Sequence, residues 1–324
     1  MILITGGFGF LGSNTAEALA VAGQDCVLTQ HDNAVLPAFL DKFHDKHVFT
    51  WPADVNDVDS LRALGANYKI TGVIHLATGG LGPGPGADAL ESVADISRTV
   101  SGVANVVQAA YEWGVRRVLV ASAPVIYAGV TELPWREDAP LPMTAHFSME
   151  VAKKCAELVA SYLAVQTAVE CVSIRLGGLY GPHYDTTRGS LLGRLVRTAV
   201  SNDPSPVLEG IRGSIHADDS SDLCYVKDAA RAIAALQTAE TLQHGVYNVA
   251  SGRPTTNRQV VAAVARAVPG FSVDLPGGHM PGLPDSPLYL DTTRLRTETG
   301  FEPAFDLQAG VDDYVGWLTA GNQR

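Results

Sequence analysis

Short and almost continuously apolar runs alternate with longer segments of helical pattern over the first two thirds of the chain. Such runs are typical of strands that are covered on both faces. They lie at residues 2–4, 26–29, 47–50, 72–75, 117–122 and 170–175. Two of the segments between them, residues 93–112 and 147–163, predict long helices. This alternation predicts an α/β fold with a doubly wound parallel sheet.

The first apolar run leads into three glycines, Gly6, Gly9 and Gly12, with the spacing Gly-x-x-Gly-x-x-Gly. An Ala-rich helix pattern over residues 13–22 and a second apolar run over residues 25–30 follow. A strand, a glycine turn and a helix in this order bring backbone N–H groups against a pyrophosphate. We therefore predict a dinucleotide-binding turn in a Rossmann-like sheet. A glycine-rich turn that binds no ligand is the alternative.

The chain divides after Gly181 and Pro182, where loops become longer and richer in glycine and proline. We expect residues 1–178 to form the dinucleotide-binding domain and residues 179–324 to form a smaller C-terminal substrate lobe. Residues 222–240 read as a short strand followed by an Ala-rich helix, and we expect them to return to the main sheet.

The composition fits an enzyme and excludes several partners. The 324 residues are 46% hydrophobic and carry a formal net charge of −11. An acidic surface without a Lys/Arg cluster repels phosphate backbones, so no nucleic-acid partner is expected. No apolar run approaches membrane-spanning length and the first strand begins at residue 2, so we expect neither a membrane partner nor a cleaved signal peptide.

The chain has four cysteines, namely Cys26, Cys155, Cys171 and Cys224. They lack CxxC spacing and a His-rich neighbourhood, so we expect free thiols and no metal site. Free thiols favour a reducing compartment, and the expected location is the cytoplasm.

A second glycine-rich segment, GGLGPGPG at residues 79–86, follows the run that ends at His75. Ligands in such sheets bind outside the carboxyl ends of the strands, so this loop is placed to border a site. A surface connection without a function is the other interpretation.

Several motifs occur in a fixed order along nearly the whole chain. They are TGGFGFLG at residues 5–12, DV at 54–55, HLA at 75–77, VIY at 125–127, RLGGLYGP at 175–182, YVKD at 225–228 and YNVASG at 247–252. In this order they resemble the motifs of the extended short-chain dehydrogenase/reductases, also described as the NAD-dependent epimerase/dehydratase family. The resemblance implies a nicotinamide cofactor, NAD or NADP.

The resemblance also implies which positions meet the cofactor and the substrate. The cofactor positions are Gly6, Gly9, Phe10, Leu11, Gly12, Gln30, His31, Asp54, Val55, Leu76, Ala77, Thr78, Ala121, Lys153 and Leu176. The substrate positions are Gly79, Gly80, Ala123, Met149, Gly178 and Tyr184. In NAD-preferring relatives an acidic residue ends the second strand, where this chain has Gln30 followed by His31. A neutral residue tolerates a 2′-phosphate, which favours NADP over NAD.

Catalysis in this family depends on a Ser or Thr, a Tyr and a Lys, with Tyr and Lys four residues apart on one helix. This spacing puts both side chains on one helix face, where the ammonium lowers the pKa of the phenol. Lys153 matches the pattern and Glu157 completes its KxxxE, but the Tyr position is Met149 and the Ser/Thr position is Ala123. A thioether moves no proton.

Neighbouring residues offer two alternatives to this alignment. Shifting the register to Lys154 puts Glu150 in the Tyr slot, at the loss of the KxxxE match. Ser122 lies one residue from the Ser/Thr position and replaces it only if the strand bulges. Two histidines that could replace the tyrosine are His146 and His183, although surface or packing roles explain such residues equally well.

These patterns predict an NAD(P)-dependent oxidoreductase, epimerase or dehydratase with a non-standard proton relay. A non-redox isomerase or lyase, a nucleotide-sugar epimerase and a cofactor-sensing protein are the alternatives. Nucleotide-sugar members of the family have an Asn and an Arg where this chain has Gly178 and Ser221, which favours a small hydroxylated or carbonyl substrate. The resemblance also implies a homodimer through the helices over residues 93–112 and 147–163. Their apolar positions, among them Val103, Val107 and Leu158, allow an apolar stripe, although burial in the core explains them as well.

Overall fold

The computed structural model describes residues 1–30, 35–78, 89–183, 191–201, 215–281 and 287–321. Within them, seven parallel strands form one sheet in the order β3-β2-β1-β4-β5-β6-β9. The strands are β1 (Ile2–Thr5), β2 (Cys26–Gln30), β3 (Val48–Pro52), β4 (Gly72–His75), β5 (Arg117–Ser122), β6 (Glu170–Leu176) and β9 (Val246–Val249). The predicted α/β fold with a doubly wound parallel sheet is confirmed.

Helices cover both faces of this sheet. They are α1 (Phe10–Val21), α2 (Val58–Asn67), α3 (Ala89–Glu112), α4 (Ser148–Thr167) and α6 (Val226–Thr238). One apolar cluster joins Leu19 of α1 and Ile233 of α6 to strand residues such as Ile4 and Leu119. A second cluster on the opposite face joins α2, α3 and α4 to Val118 and Val120 of β5. Strands buried on both faces account for their continuous apolar runs.

A second, smaller layer follows β6. Its sheet has the order β10-β8-β7, with β7 (Gly178–Tyr180), β8 (Ser220–Tyr225) and β10 (Pro254–Thr256). Helices α5 (Leu191–Ser201), α7 (Asn257–Ala267) and α9 (Leu307–Thr319) pack around it, while α8 (Thr293–Thr299) contacts α6 and β9. The segment 222–240 is thus divided between the two layers: its strand pairs in the small sheet, and its helix packs beside α1.

Four of the predicted site residues lie outside the described residues, namely His31, Gly79, Gly80 and Tyr184. Among the described helices, none has an apolar stretch long enough to cross a membrane. All four cysteines are free thiols.

Candidate functional site

The glycine turn after β1 is held closed by contacts that leave no room for side chains. Gly6 has a φ of +67°, and a Cβ there would come within 2.9 Å of the backbone nitrogen of Ala77. A Cβ on Gly12 would collide with the carbonyl oxygen of Gly6 and would lie 2.7 Å from the Cα of Gly7. Backbone bonds from Gly9 N to Gly6 O (3.0 Å) and from Ser13 N to Gly9 O (3.0 Å) complete the turn.

The outer side of this turn is exposed at Gly9. Gly9 is the N-cap of α1 and, as a glycine, has no side chain with which to cap the helix. The first turn of α1 carries no acidic residue, and Phe10 and Leu11 are half-buried there. An uncapped helix N-terminus beside a glycine turn favours a phosphate group. These residues fit the pyrophosphate of a dinucleotide.

Three residues predicted to contact the adenosine half of the cofactor lie at the carboxyl ends of the next two strands. Gln30 ends β2, while Asp54 and Val55 follow β3. Oδ1 of Asp54 accepts from the backbone N–H of Asn56 at 2.9 Å, and the Val55 carbonyl accepts from Asn105 Nδ2 at 3.0 Å. Hydrogen bonds to neighbouring segments therefore fix the loop that bears Asp54 and Val55.

His75, at the end of β4, is a buried neutral imidazole. Its Nδ1 is 2.7 Å from Thr5 Oγ1, which also accepts from the backbone N–H of Ala77 at 3.3 Å. Burial lowers the pKa of His75 to about 3, and the nearby Lys153 ammonium contributes to this shift. The interaction holds the HLA segment, and with it Leu76, Ala77 and Thr78, beside the glycine turn.

Lys153 of α4 points inward to the carboxyl end of β5. Its side chain is buried, and Nζ donates to the Ala121 carbonyl at 2.8 Å. Lys154 points the other way: it pairs with Glu150 at 2.7 Å and donates to the Thr144 carbonyl at 3.0 Å. Since Lys154 is engaged with the preceding loop, the register with Lys153 on the inner face is the one that the helix adopts.

The two positions of the missing proton relay lie on the same elements. Ser122 is buried on the α4 side of β5, because its neighbours Val118 and Val120 face the cluster that contains Ala156. Its Oγ has no hydrogen-bond partner among the described residues. Ala123 is half-buried and extended, with φ −146° and ψ 155°, and Met149 is half-buried in the first turn of α4.

The two candidate histidines differ in their surroundings. His146 is exposed just before α4, and its backbone N–H donates to Glu150 at 3.0 Å. The ring of His183 lies between Phe39 and Trp317, with centroid distances of 4.4 Å and 4.8 Å. Burial lowers the pKa of His183 to about 4. A histidine packed between two aromatic rings is held mainly by those contacts.

A buried polar network that sequence reasoning missed connects α4 to the rest of the site. Arg175 binds Glu157 at 2.8 Å and donates to the Tyr127 hydroxyl at 2.8 Å. That hydroxyl donates to Asn248 Oδ1 at 2.9 Å, and Nδ2 of Asn248 donates to the Trp135 carbonyl at 2.9 Å. The motifs KxxxE, VIY, RLGG and YNV meet here, and their co-occurrence is the one signal that could have pointed to the network.

The substrate end is closely packed around β7 and β8. A Cβ on Gly178 would lie 3.0 Å from the Asp222 carbonyl oxygen and 3.2 Å from Leu223 Cδ2. The Asp222 carboxylate is buried and accepts from the backbone N–H groups of Ser251 (2.8 Å) and Gly252 (3.1 Å). Ser221 is exposed and pairs with Thr255 in the small sheet. Leu176 ends β6 beside Val249.

The chain belongs to the NAD dependent epimerase/dehydratase family, whose model matches residues 2–250. The resemblance found in the sequence is thereby confirmed, and the protein is an enzyme of this class. It is 24% identical to a dTDP-glucose 4,6-dehydratase from Streptomyces griseus, over 98% of this chain and 93% of that protein. It is also 24% identical to a UDP-glucose 4-epimerase from Neisseria gonorrhoeae, over 100% of this chain and 98% of that protein.

Solved structures share the fold over nearly the full length. The UDP-glucose 4-epimerase from Thermotoga maritima with UDP-glucose has a TM-score of 0.78 at 19% identity and covers 99% of both chains. The Thermus thermophilus UDP-glucose 4-epimerase in complex with NAD has a TM-score of 0.75 at 23% identity and covers 97% of both chains.

Proposed function

We propose that this enzyme binds NAD or NADP at the glycine turn and acts as an oxidoreductase, epimerase or dehydratase on a small hydroxylated or carbonyl compound. The observation that carries the proposal is the buried Lys153, whose Nζ lies at the Ala121 carbonyl on the sheet edge that also bears the glycine turn. Carboxyl ends of parallel strands meet at one edge, so a dinucleotide lying along it would reach from the turn to Lys153.

The residues that would hold the cofactor are spread along this edge. Gly6, Gly9, Gly12 and the first N–H groups of α1 would hold the pyrophosphate, while Asp54 and Val55 would border the adenine. Lys153 would hold the nicotinamide ribose, since its ammonium has one hydrogen bond among the described residues and three donors. When bound, the nicotinamide accepts or supplies a hydride.

The residue at the end of β2 bears on the choice between NADP and NAD. Gln30 supports NADP, because a neutral side chain does not repel the 2′-phosphate. The Thermus thermophilus structure was solved with NAD. We propose a preference for NADP.

The packing at Gly178 supports a small substrate. An Asn at this position would need space that Asp222 and Leu223 occupy, and the Arg position is the exposed Ser221. The relatives favour a second candidate, a nucleotide-sugar epimerase or dehydratase, because they are a dTDP-glucose 4,6-dehydratase and a UDP-glucose 4-epimerase. The two candidates differ in the presence of a diphosphate, which charge-assisted contacts would have to bind.

One experiment separates these candidates. The purified chain is titrated with NADPH and NADH, and binding is followed by the fluorescence of the reduced nicotinamide. It is then incubated with each cofactor and one of two substrate sets. The first set contains small sugars, hydroxy acids and ketones, and the second contains UDP-glucose and dTDP-glucose. Product formation and nicotinamide absorbance are followed in both. Turnover of small compounds alone is expected. Turnover of the nucleotide sugars alone would favour the second candidate, and binding without any turnover would contradict both.

The assembly and the location are proposals of the same kind. Helices α3 and α4 expose large apolar side chains, such as Val93 and Leu158, which supports a homodimer through these helices. The free thiols support a reducing compartment, and we propose the cytoplasm.

A further inference from the structure

We propose that Lys153 itself moves the substrate proton in this enzyme, and that Glu157 is the positioning residue that stabilises the ammonium formed when Lys153 accepts the proton. This proposal rests on the proposed dinucleotide-dependent turnover. In the oxidative direction the proton of the substrate hydroxyl passes to the neutral amine of Lys153, which becomes an ammonium. The C–H bond at the carbon that bears this hydroxyl breaks as its C–O bond becomes C=O, and the hydride passes with the electron pair of the C–H bond to an oxidised nicotinamide dinucleotide.

The geometry at the carboxyl end of β5 leaves the Lys153 amine able to bind a substrate oxygen. Within the described part of the chain, its hydrogen bond to the Ala121 carbonyl is the only one that Nζ makes. Ser122 Oγ, on the same side of β5, is buried without a hydrogen-bond partner in the described residues. Unpartnered buried polar atoms are rare in proteins, and a substrate oxygen between Nζ and Oγ would satisfy both groups.

Charged and titratable groups reach Lys153 from three elements. From β4, His75 is neutral and fixed to Thr5. From α4, the Glu157 carboxylate lies one helical turn away and is tied to Arg175 of β6 at 2.8 Å. Burial lowers the pKa of Lys153 to about 8, and Glu157 opposes this decrease. A base works best when its pKa lies near the working pH, so burial and Glu157 together keep this amine in a useful range.

The other candidates are less suited to the transfer. Met149 has no exchangeable proton. His183 is packed between Phe39 and Trp317. His146 is exposed to water rather than enclosed with Lys153 and Ser122.

The charge of Lys153 is tested without turnover. The full chain is labelled with 13C-lysine and titrated from pH 6 to 11 by NMR, and Lys153→Met assigns the signal. A midpoint near pH 8 is expected, with a shift to lower pH in Glu157→Gln. Two control variants should leave the Lys153 midpoint near pH 8. Glu157→Asp keeps the carboxylate, and Lys154→Met removes the neighbouring lysine instead of Lys153. A Lys153 midpoint above pH 10, or one that Glu157→Gln leaves unmoved, would overturn the proposal.

Turnover supplies the second test, with the substrate and cofactor that the panel identifies. Lys153→Met and Lys153→Arg should both lower the rate by about 10²- to 10⁴-fold. Arginine keeps the positive charge but does not deprotonate, so Lys153→Arg should still bind NADPH. Substantial turnover by Lys153→Arg, or loss of the limiting pKa in His146→Ala, would refute the transfer by Lys153. If the panel gives no turnover, the proposed function fails, and the NMR midpoint alone decides the charge of Lys153.

Discussion

His75 illustrates how a residue that titrates near neutral pH in water is kept uncharged by its surroundings. It is buried at the end of β4, bonded to Thr5 and close to the Lys153 ammonium. An imidazolium there would lose its hydration and meet a like charge. The histidine of the HLA motif is therefore a neutral side chain in a fixed position beside Lys153.

This environment makes the fold sensitive to acid. The pKa of His75 falls from 6.5 to about 3 on folding, so between these values the unfolded chain binds more protons than the native one. Stability therefore rises with pH across this window, and it is lost as the pH falls from 6.5 to 3. His75→Asn should reduce the slope by up to about 1.4 kcal/mol per pH unit. Urea unfolding of the wild type and of His75→Asn between pH 7 and 4 measures the slope of the unfolding free energy against pH. Identical slopes in the two proteins would contradict the lowered pKa of His75.

Gln30 decides the cofactor prediction at the other end of the site. Gln30→Asp should shift the ratio of dissociation constants toward NAD by about 10- to 100-fold, because a hydrogen bond to a charged group contributes about 1.5–3 kcal/mol. The carboxylate would accept from the ribose 2′-OH and repel a 2′-phosphate. Gln24→Asp is the matched control, since it adds the same charge in the exposed segment before β2. An unchanged ratio in Gln30→Asp would rule out a role for Gln30.

Single residues were predictable from the sequence where a motif fixes the backbone around them. Lys153 faces inward as the KxxxE match predicted, and Lys154 does not. The partners of Glu157 and Tyr127 were not predictable, because Arg175 and Asn248 meet them only through the packing of β6 and β9. Pairing across strands that are far apart in the chain carries no local pattern.

At the scale of elements, continuous apolar runs located the strands well and the helix ends less well. The strands Gly72–His75 and Arg117–Ser122 match the predicted runs, whereas α3 and α4 extend to Ala89 and Thr167. Strand β9 was not predicted, because its run has only four residues and lies after α6, where the regular alternation of apolar runs and helices along the chain has ended. Its place beside β6 depends on tertiary packing.

The glycine turn and helix α1 give an element-scale prediction. Gly12→Ala should lower the free energy of unfolding by roughly 1–3 kcal/mol and weaken NADPH binding, because its methyl group meets the Gly6 carbonyl. Gly316→Ala makes the same change inside α9, where no described atom outside the adjacent turns of the helix lies within 4 Å of the new Cβ. Gly316→Ala should raise the free energy of unfolding by roughly 0.5–1 kcal/mol. Urea unfolding compares the two, and equal stabilities of Gly12→Ala and the wild type would contradict the close contact.

At the scale of the whole molecule, helices α3 and α4 both expose large apolar side chains. The exposed fractions are 59% for Val93, 67% for Leu158, 62% for Tyr162 and 81% for Val165. Val103 and Val107, which the sequence allowed in such a stripe, belong to the core instead. The surface that supports a homodimer is therefore displaced from part of the predicted stripe.

The corresponding test uses the size of the particle in solution. The wild type should sediment as a dimer, and the double variant Leu158→Glu/Val165→Glu should sediment as a monomer, because charges would be buried without partners. Val21→Glu, at a residue that is 72% exposed at the end of α1, is the matched control and should remain dimeric. A monomeric wild type would rule out the assembly.

Strand β9 has a consequence for any attempt to dissect the chain. It is the strand that pairs with β6, and Asn248 within it joins Tyr127, Trp135 and Asp291. A fragment that stops at residue 178 would leave the hydrogen-bonding groups of Ser173–Leu176 open, and such an edge recruits other chains. The dinucleotide-binding half therefore cannot be cut out as one continuous segment: a shuffled or truncated enzyme still needs residues 246–249, which lie in the chain between β8 and β10 of the small sheet.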